Sequence, residues 1–187
     1  MKKFLKITAL LCAVVLLLAG CTKAENDGFT VFKSSPMNFR LEYPSHWTMQ
    51  INNETKTAAF VTPGEGYSDQ YRDNVTVTVS GLGTASDFAN YAKLYEESLP
   101  STLKGFSLTA SEEIFLDGKE AIRLTYKSQT TEKDKDGKEV TTELKFLQCI
   151  AFANDQVYTF TFMAEPNSYD YFLPYVETMI GTLRFKA

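Results

Sequence analysis

The sequence predicts an α+β fold, an antiparallel β-sheet flanked by helices on both faces, and three observations predict it. Apolar and polar residues alternate in many short runs, the cleanest being Val75, Val77 and Val79 against Thr76, Thr78 and Ser80, the period of a half-buried strand. Successive runs are joined by turn residues such as Asp117-Gly118, which tolerate the positive φ of tight hairpins. One run, Leu144–Ala153, is apolar on both faces, with Phe146, Ile150 and Phe152 on one and Leu147, Cys149 and Ala151 on the other. Such a strand needs cover on both sides, and two amphipathic helical stretches are available to supply it.

In front of this domain stands a segment of different character. Lys2, Lys3 and Lys6 are basic, Ile7 to Ala19 is apolar except for Thr8, and the small residues Ala19 and Gly20 follow. That is the three-part layout of a secretory signal. The apolar run is shorter than the roughly 20 residues a membrane span requires. Its ending, Leu18-Ala19-Gly20-Cys21, resembles the lipobox of bacterial lipoproteins. The resemblance implies cleavage before Cys21 and acylation of its thiol and new amine, which holds a protein at a membrane far more stably than one acyl chain. The expected organisation is a lipoprotein signal peptide over 1–20, a lipidated tether over 21–28 and one domain over 29–187.

Loss of residues 1–20 leaves 167 of the 187 residues, enough for a single domain with its own core. It also removes three lysines, leaving 16 basic against 23 acidic residues, a formal charge of -7 in place of -4. That balance disfavours nucleic acid as a partner and charge-driven docking on anionic lipid. Cys12 departs with the signal and Cys21 is the anchor, so Cys149 is left without an intramolecular disulfide partner.

In chain order, Thr22 to Gly28 is a short polar tether, followed by strands at Phe29–Lys33 and Asn38–Pro44. In the second of these Phe39, Leu41 and Tyr43 alternate with polar residues before the proline. Trp47–Asn52 and Thr57–Thr62 read as strands, then a polar loop at Gly64–Asp73, then Asn74–Ser80. A helix is expected from Ser86 to Leu99, capped by Ser86 or Thr84, with Phe88, Tyr91, Ala92, Tyr95 and Leu99 on one face and Pro100 as its stop. Phe106–Leu116 and Lys119–Lys127 form a hairpin about Asp117-Gly118, and a second hairpin has its tip at Glu132–Glu139. Leu144–Ala153 and Val157–Met163 are the last strands. A closing helix lies near Ser168–Ile180, with Pro174 in its first turn or at a kink.

Few residues carry the signature of chemistry. His46 is the sole histidine and sits in a turn before Trp47, a structural or solvated place. Cys149 has apolar neighbours on its strand face, Leu147 and Ala151, and reads as buried filler. Glu132-x-Asp134-x-Asp136-Gly137, with Glu143 beyond, approximates a calcium loop. Lys133, Lys135 and Glu139 break that pattern and the flanks are strand-like, so it reads as a hairpin tip. Ser34, Ser35 and Ser111 have no partnered base in view. The loop with Tyr67, Tyr71 and Arg72 is the best contact surface the sequence offers, since aromatics and Arg favour interfaces. No catalytic, cofactor-binding or metal residue is assigned.

Five stretches together resemble the PsbP family, the extrinsic proteins of the photosynthetic oxygen-evolving complex and their bacterial relatives. They are Phe39-Arg40-Leu41-Glu42-Tyr43-Pro44-Ser45-His46-Trp47, Arg72-Asp73-Asn74-Val75-Thr76-Val77, Leu116-Asp117-Gly118-Lys119-Glu120-Ala121, Val157-Tyr158-Thr159-Phe160-Thr161-Phe162 and Met179-Ile180-Gly181-Thr182-Leu183-Arg184-Phe185. The resemblance covers most of 29–187 and implies a PsbP-like α/β/α sandwich, a fold that also serves a nuclear-import factor binding a small GTPase, so fold does not fix function. The lipobox departs from the lumenal plant subunit. The expectation is a lipid-anchored protein on the extracytoplasmic face of a bacterial cell membrane, acting as a non-enzymatic binding or assembly module. It would contact membrane lipid through acylated Cys21 and an envelope protein partner. A carrier or sensor for a lipid or other apolar small molecule is the alternative.

Overall fold

A computed structural model describes residues 28–64, 72–133 and 136–186. Among the described residues nine strands and two helices follow in the order β1 (Phe29–Ser34), β2 (Phe39–Pro44), β3 (Thr48–Asn52), β4 (Thr57–Val61), β5 (Asn74–Gly81), α1 (Phe88–Thr102), β6 (Ser107–Leu116), β7 (Lys119–Lys133), β8 (Glu139–Ala153), β9 (Gln156–Ala164) and α2 (Tyr169–Thr182). Seven strands form an antiparallel sheet in the order β3-β4-β5-β9-β8-β7-β6, and β1 and β2 pair as a separate ribbon. The Asp117-Gly118 turn closes the β6–β7 hairpin with positive φ at both residues, as the dipeptide predicts.

Alternation along the central strands divides the core in two. Leu147, Cys149 and Ala151 of β8 join Tyr158, Phe160 and Phe162 of β9 in one cluster with Phe172, Val176 and Met179 of α2 and with Phe32, Phe39 and Leu41 of the β1–β2 ribbon. Ile150 with Phe146 and Phe152 joins Ile122, Leu124 and Tyr126 of β7 in a second cluster with Phe88, Tyr91, Ala92, Tyr95 and Leu99 of α1. The odd residues Leu147, Cys149 and Ala151 of β8 therefore lie in one cluster and the even residue Ile150 in the other, so both sides of this strand are buried. The ribbon is held by a bridge in which Arg40 N–H donates to Arg184 O at 2.9 Å and Arg184 N–H to Arg40 O at 2.8 Å.

Several boundaries differ from the sequence expectation. Helix α1 starts at Phe88, two residues later than expected: Asp87 is its N-cap, with Oδ1 accepting from Asn90 N–H at 2.7 Å. Pro100 does not stop α1, which runs on to Thr102. Proline disturbs the turn before it, not the residues after it, and here the last turn is closed by Leu103 N–H to Leu99 O at 2.9 Å and by the Ser101 and Thr102 hydroxyls bonding back to carbonyls. Helix α2 spans Tyr169–Thr182 and places Pro174 at its sixth residue, past the first turn. The β7–β8 hairpin is longer than predicted. Its polar ends pair residue for residue, Thr130 with Thr142 and Thr131 with Thr141, and β-branched threonines suit an exposed ribbon.

Candidate functional site

Cys149, His46 and Ser111, the reactive side chains singled out in the sequence, lie apart from one another, on β8, before β3 and on β6. Cys149 is fully buried in the α2-side cluster, and burial pushes its thiol up to about 12 from an ordinary 9.0. A thiol so protonated is a poor nucleophile. His46 is exposed, its ring 6.0 Å from that of Tyr175. Ser111, on edge strand β6, donates to Glu96 Oε2 of α1 at 2.7 Å, a carboxylate partner that 15 residues of sequence separation conceal. The pair ties α1 to the sheet edge. Arg123 of β7 makes a two-bond contact with Glu177 of α2, at 3.1 and 2.5 Å, and this contact raises the guanidinium pKa further.

The two ends of the calcium-like stretch are set apart along the ladder. Glu132 lies opposite Val140, while Glu143 lies opposite Gln129, three pairs further along, about 10 Å at the rise of a strand. Glu143 is engaged by Lys127 Nζ at 2.8 Å. Asp134 lies outside the described residues, and among those described no group of three His, Cys, Asp or Glu could hold a metal ion. Tyr67 and Tyr71 of the expected contact loop also lie outside. Arg72 turns back on its own loop, donating to Thr62 O at 2.8 Å, and the buried Asp73 accepts from Glu165 N–H at 3.0 Å.

Three surface features remain. Between α1 and β6 lies an open groove of about 530 Å³, floored by Ala92 and Ile122 and bordered by Lys93, Glu96, Glu97, Glu113, Glu120 and the exposed Phe115. Where the domain begins, Phe29, His46, Tyr171 and Tyr175 form a continuous aromatic surface, with the Tyr175 ring 6.1 Å from Phe29 and 6.5 Å from Tyr171. Trp47 lies beneath it, 5.7 Å from Phe172 and 6.4 Å from Tyr175. At the other end of the β1–β2 ribbon, Lys33, Arg40, Arg184 and Lys186 surround a cleft of about 330 Å³. Sequence reasoning missed all three because each is assembled from distant segments.

No family model matches the chain, and no curated protein does. Among solved structures, the cyanobacterial PsbP (CyanoP) of Synechocystis sp. PCC 6803 superposes with a TM-score of 0.57 at 12% identity, covering 89% of this chain and 98% of that one. The fold is PsbP-like. The Ran-binding protein Mog1p of Saccharomyces cerevisiae gives 0.55 at 8% identity over 85% and 98%. LpqN of Mycobacterium tuberculosis, involved in cell envelope biogenesis, gives 0.53 at 12% identity over 85% and 86%. Identities this low speak for the fold alone. Among the described residues no helix is long and apolar enough to cross a membrane.

Proposed function

We propose that this protein is a lipid-anchored, non-enzymatic binding or assembly module of the bacterial cell envelope, held on the extracytoplasmic face by acylated Cys21, with a PsbP-like sheet carrying a helix over each face. The observation that carries the reading is the Leu18-Ala19-Gly20-Cys21 stretch at the end of a basic-then-apolar leader, joined to a domain whose sole histidine and buried cysteine sit in structural places. The similar folds lend support. LpqN is involved in cell envelope biogenesis and Mog1p binds Ran, roles of the kind proposed here.

The tether sets an orientation. Eight residue steps separate Cys21 from Phe29, a reach of at most about 28 Å. The aromatic surface of Phe29, His46, Tyr171 and Tyr175 is therefore the part of the domain nearest the bilayer, and Tyr and Trp favour the membrane interface. Helix α2 carries two carboxylates, and both are paired, Asp170 with Lys145 and Glu177 with Arg123.

Cys21→Ala in living cells is the test of the anchor. We expect loss of labelling by a tagged fatty acid and loss of crosslinked envelope partners, and undiminished labelling overturns the lipobox reading. The carrier alternative is disfavoured by ring packing: Phe88 and Tyr91 lie 5.2 and 5.0 Å from Phe152, and Tyr126 stacks 4.9 Å from Phe146, so aromatic rings occupy the space between α1 and the sheet. The groove outside it has apolar residues such as Phe88, Ile114 and Ile122 in its lining, but it is open to solvent and bordered by four glutamates, which leaves an acyl chain beside carboxylates and water. Native mass spectrometry should find no stoichiometric lipid other than the anchor, and a second hydrophobic ligand at one-to-one occupancy would favour the carrier.

A further inference from the structure

The end of the β1–β2 ribbon away from Phe29 concentrates positive charge in an acidic protein. Lys33 is paired in register with Arg40, and Arg40 with Arg184 across the isolated bridge. Residues opposed in an antiparallel ladder project to the same face, and like charges placed so are destabilising. Burial fixes which face it is: Phe32, Ser34, Phe39 and Leu41 point into the core, so Lys33 and Arg40 point out. The same alternation operates after α2, where Leu183 and Phe185 are buried and Arg184 and Lys186 face the cleft. Three chain segments thus bring four cations to one cavity of about 330 Å³.

Among the described residues little neutralises them. Asp117, from the tip of the β6–β7 hairpin, is the carboxylate in the cleft. One of its oxygens accepts from Phe185 N–H at 3.0 Å, and the other lies 3.6 Å from Arg184 Nε. Arg184 is held further by its own carbonyl contacts, to Gly181 O at 2.9 Å and Leu183 O at 2.7 Å. Glu42 stands two residues from Arg40 on the outward face and borders the adjoining hollow with Val31 and Thr182. Among the described residues Lys33, Arg40 and Lys186 form no ion pair, and all three are exposed. Arg184 and Asp117 are fixed walls, and the other three cations are the free ones.

We propose that this cleft binds a multiply charged phosphoryl group. Cations converging from three segments match a tetrahedral anion that accepts from several directions. A guanidinium supplies paired donors and an ammonium a point charge. The phosphoryl group belongs to a free small anion or to a lipid headgroup, and the chemistry of recognition is shared.

The test is calorimetric titration of the detergent-solubilised full chain with inorganic pyrophosphate, with citrate as a carboxylate control and with micelles doped with phosphatidic acid, a phosphomonoester, as the headgroup arm. We expect saturable pyrophosphate binding that weakens at least about tenfold, the loss of one good charge-assisted contact, in Arg40→Gln and separately in Lys33→Gln. Both side chains are exposed, so both variants fold, and circular dichroism checks it. Lys93→Gln, in the groove beside α1, leaves binding unchanged. Saturable binding of the phosphatidic acid micelles that competes with pyrophosphate in the native chain, and that is itself weakened in Arg40→Gln, assigns the source to a headgroup, and pyrophosphate binding without it assigns a free anion. Absence of saturable binding in both the pyrophosphate and the headgroup arms, equal binding by the variants, or tighter binding of citrate overturns the proposal.

Discussion

Cys149 shows how a single side chain is fixed by its surroundings. Its thiol lies on the β8 face that packs against α2, with Phe160 opposite it in the ladder, and burial is the first cause of its raised pKa. Cys149→Ser would put a hydroxyl in that apolar setting, and we expect a loss of about 1–3 kcal/mol by urea unfolding, with no change in partner capture. The native thiol should react with an alkylating reagent far more slowly than a free one. The same burial predicts an alkaline weakness. Cys149 and Tyr169 are both pushed up to about 12, from 9.0 and 10.0. The unfolded chain loses these protons first as pH rises, so the stability carried by the neutral buried forms is full below about pH 9 and declines towards pH 12. Unfolding midpoints should fall between pH 8 and 11, and Cys149→Ala should make the fall shallower. Gly105 is constrained differently: its φ is +64° and a Cβ there would meet Gln129 Cδ at 2.8 Å, which makes Gly105→Ala destabilising while Gly83→Ala, facing open space, meets the φ penalty alone.

Elements were legible where one face is buried and the other is not. Val75, Val77 and Val79 are buried in β5 as their alternation predicts, because the period of a half-covered strand is written directly in residue type. The Asp117-Gly118 hairpin was legible for the same reason, its backbone demand being local. Helix ends were less so, because the competing signals sit within three residues of one another. Thr84, Ser86 and Asp87 can all cap, and only Asp87 has its oxygen on Asn90 N–H. Asp87→Ala should cost about 1 kcal/mol in thermal unfolding, whereas Ser86→Ala should cost little; equal effects would mean that the cap is shared. Pro100 misled because a proline near a helix end frees a carbonyl that solvent can satisfy. The surface features were illegible at this scale: Lys33, Arg40 and Arg184 are unremarkable until β1, β2 and the residues after α2 become neighbours.

At the scale of the molecule the two ends of the β1–β2 ribbon differ in chemistry. Phe29 pairs with Pro44 at the tether end and Ser34 with Phe39 at the other, about 17 Å away at the rise of a strand. Aromatic rings crowd the first end and cations the second. If the tether holds the first end at the bilayer, Tyr171, 65% exposed, and its neighbours meet the interface while the cationic cleft faces away from it, an orientation in which the cleft takes a free anion and not a headgroup of the same membrane. Trp47, the sole tryptophan, reports on this without labelling. It is buried just under the aromatic surface, and its indole N–H has no hydrogen-bond acceptor among the described residues. We expect its fluorescence to be quenched by brominated lipid when the acylated chain is reconstituted into vesicles, and less so in Tyr171→Ser, which removes an interfacial ring. Vesicles that carry the chain to the pellet but leave Trp47 unquenched would show the anchor in place and the domain turned another way. A chain that stays in the supernatant would remove the anchor itself, so the two ideas fail separately.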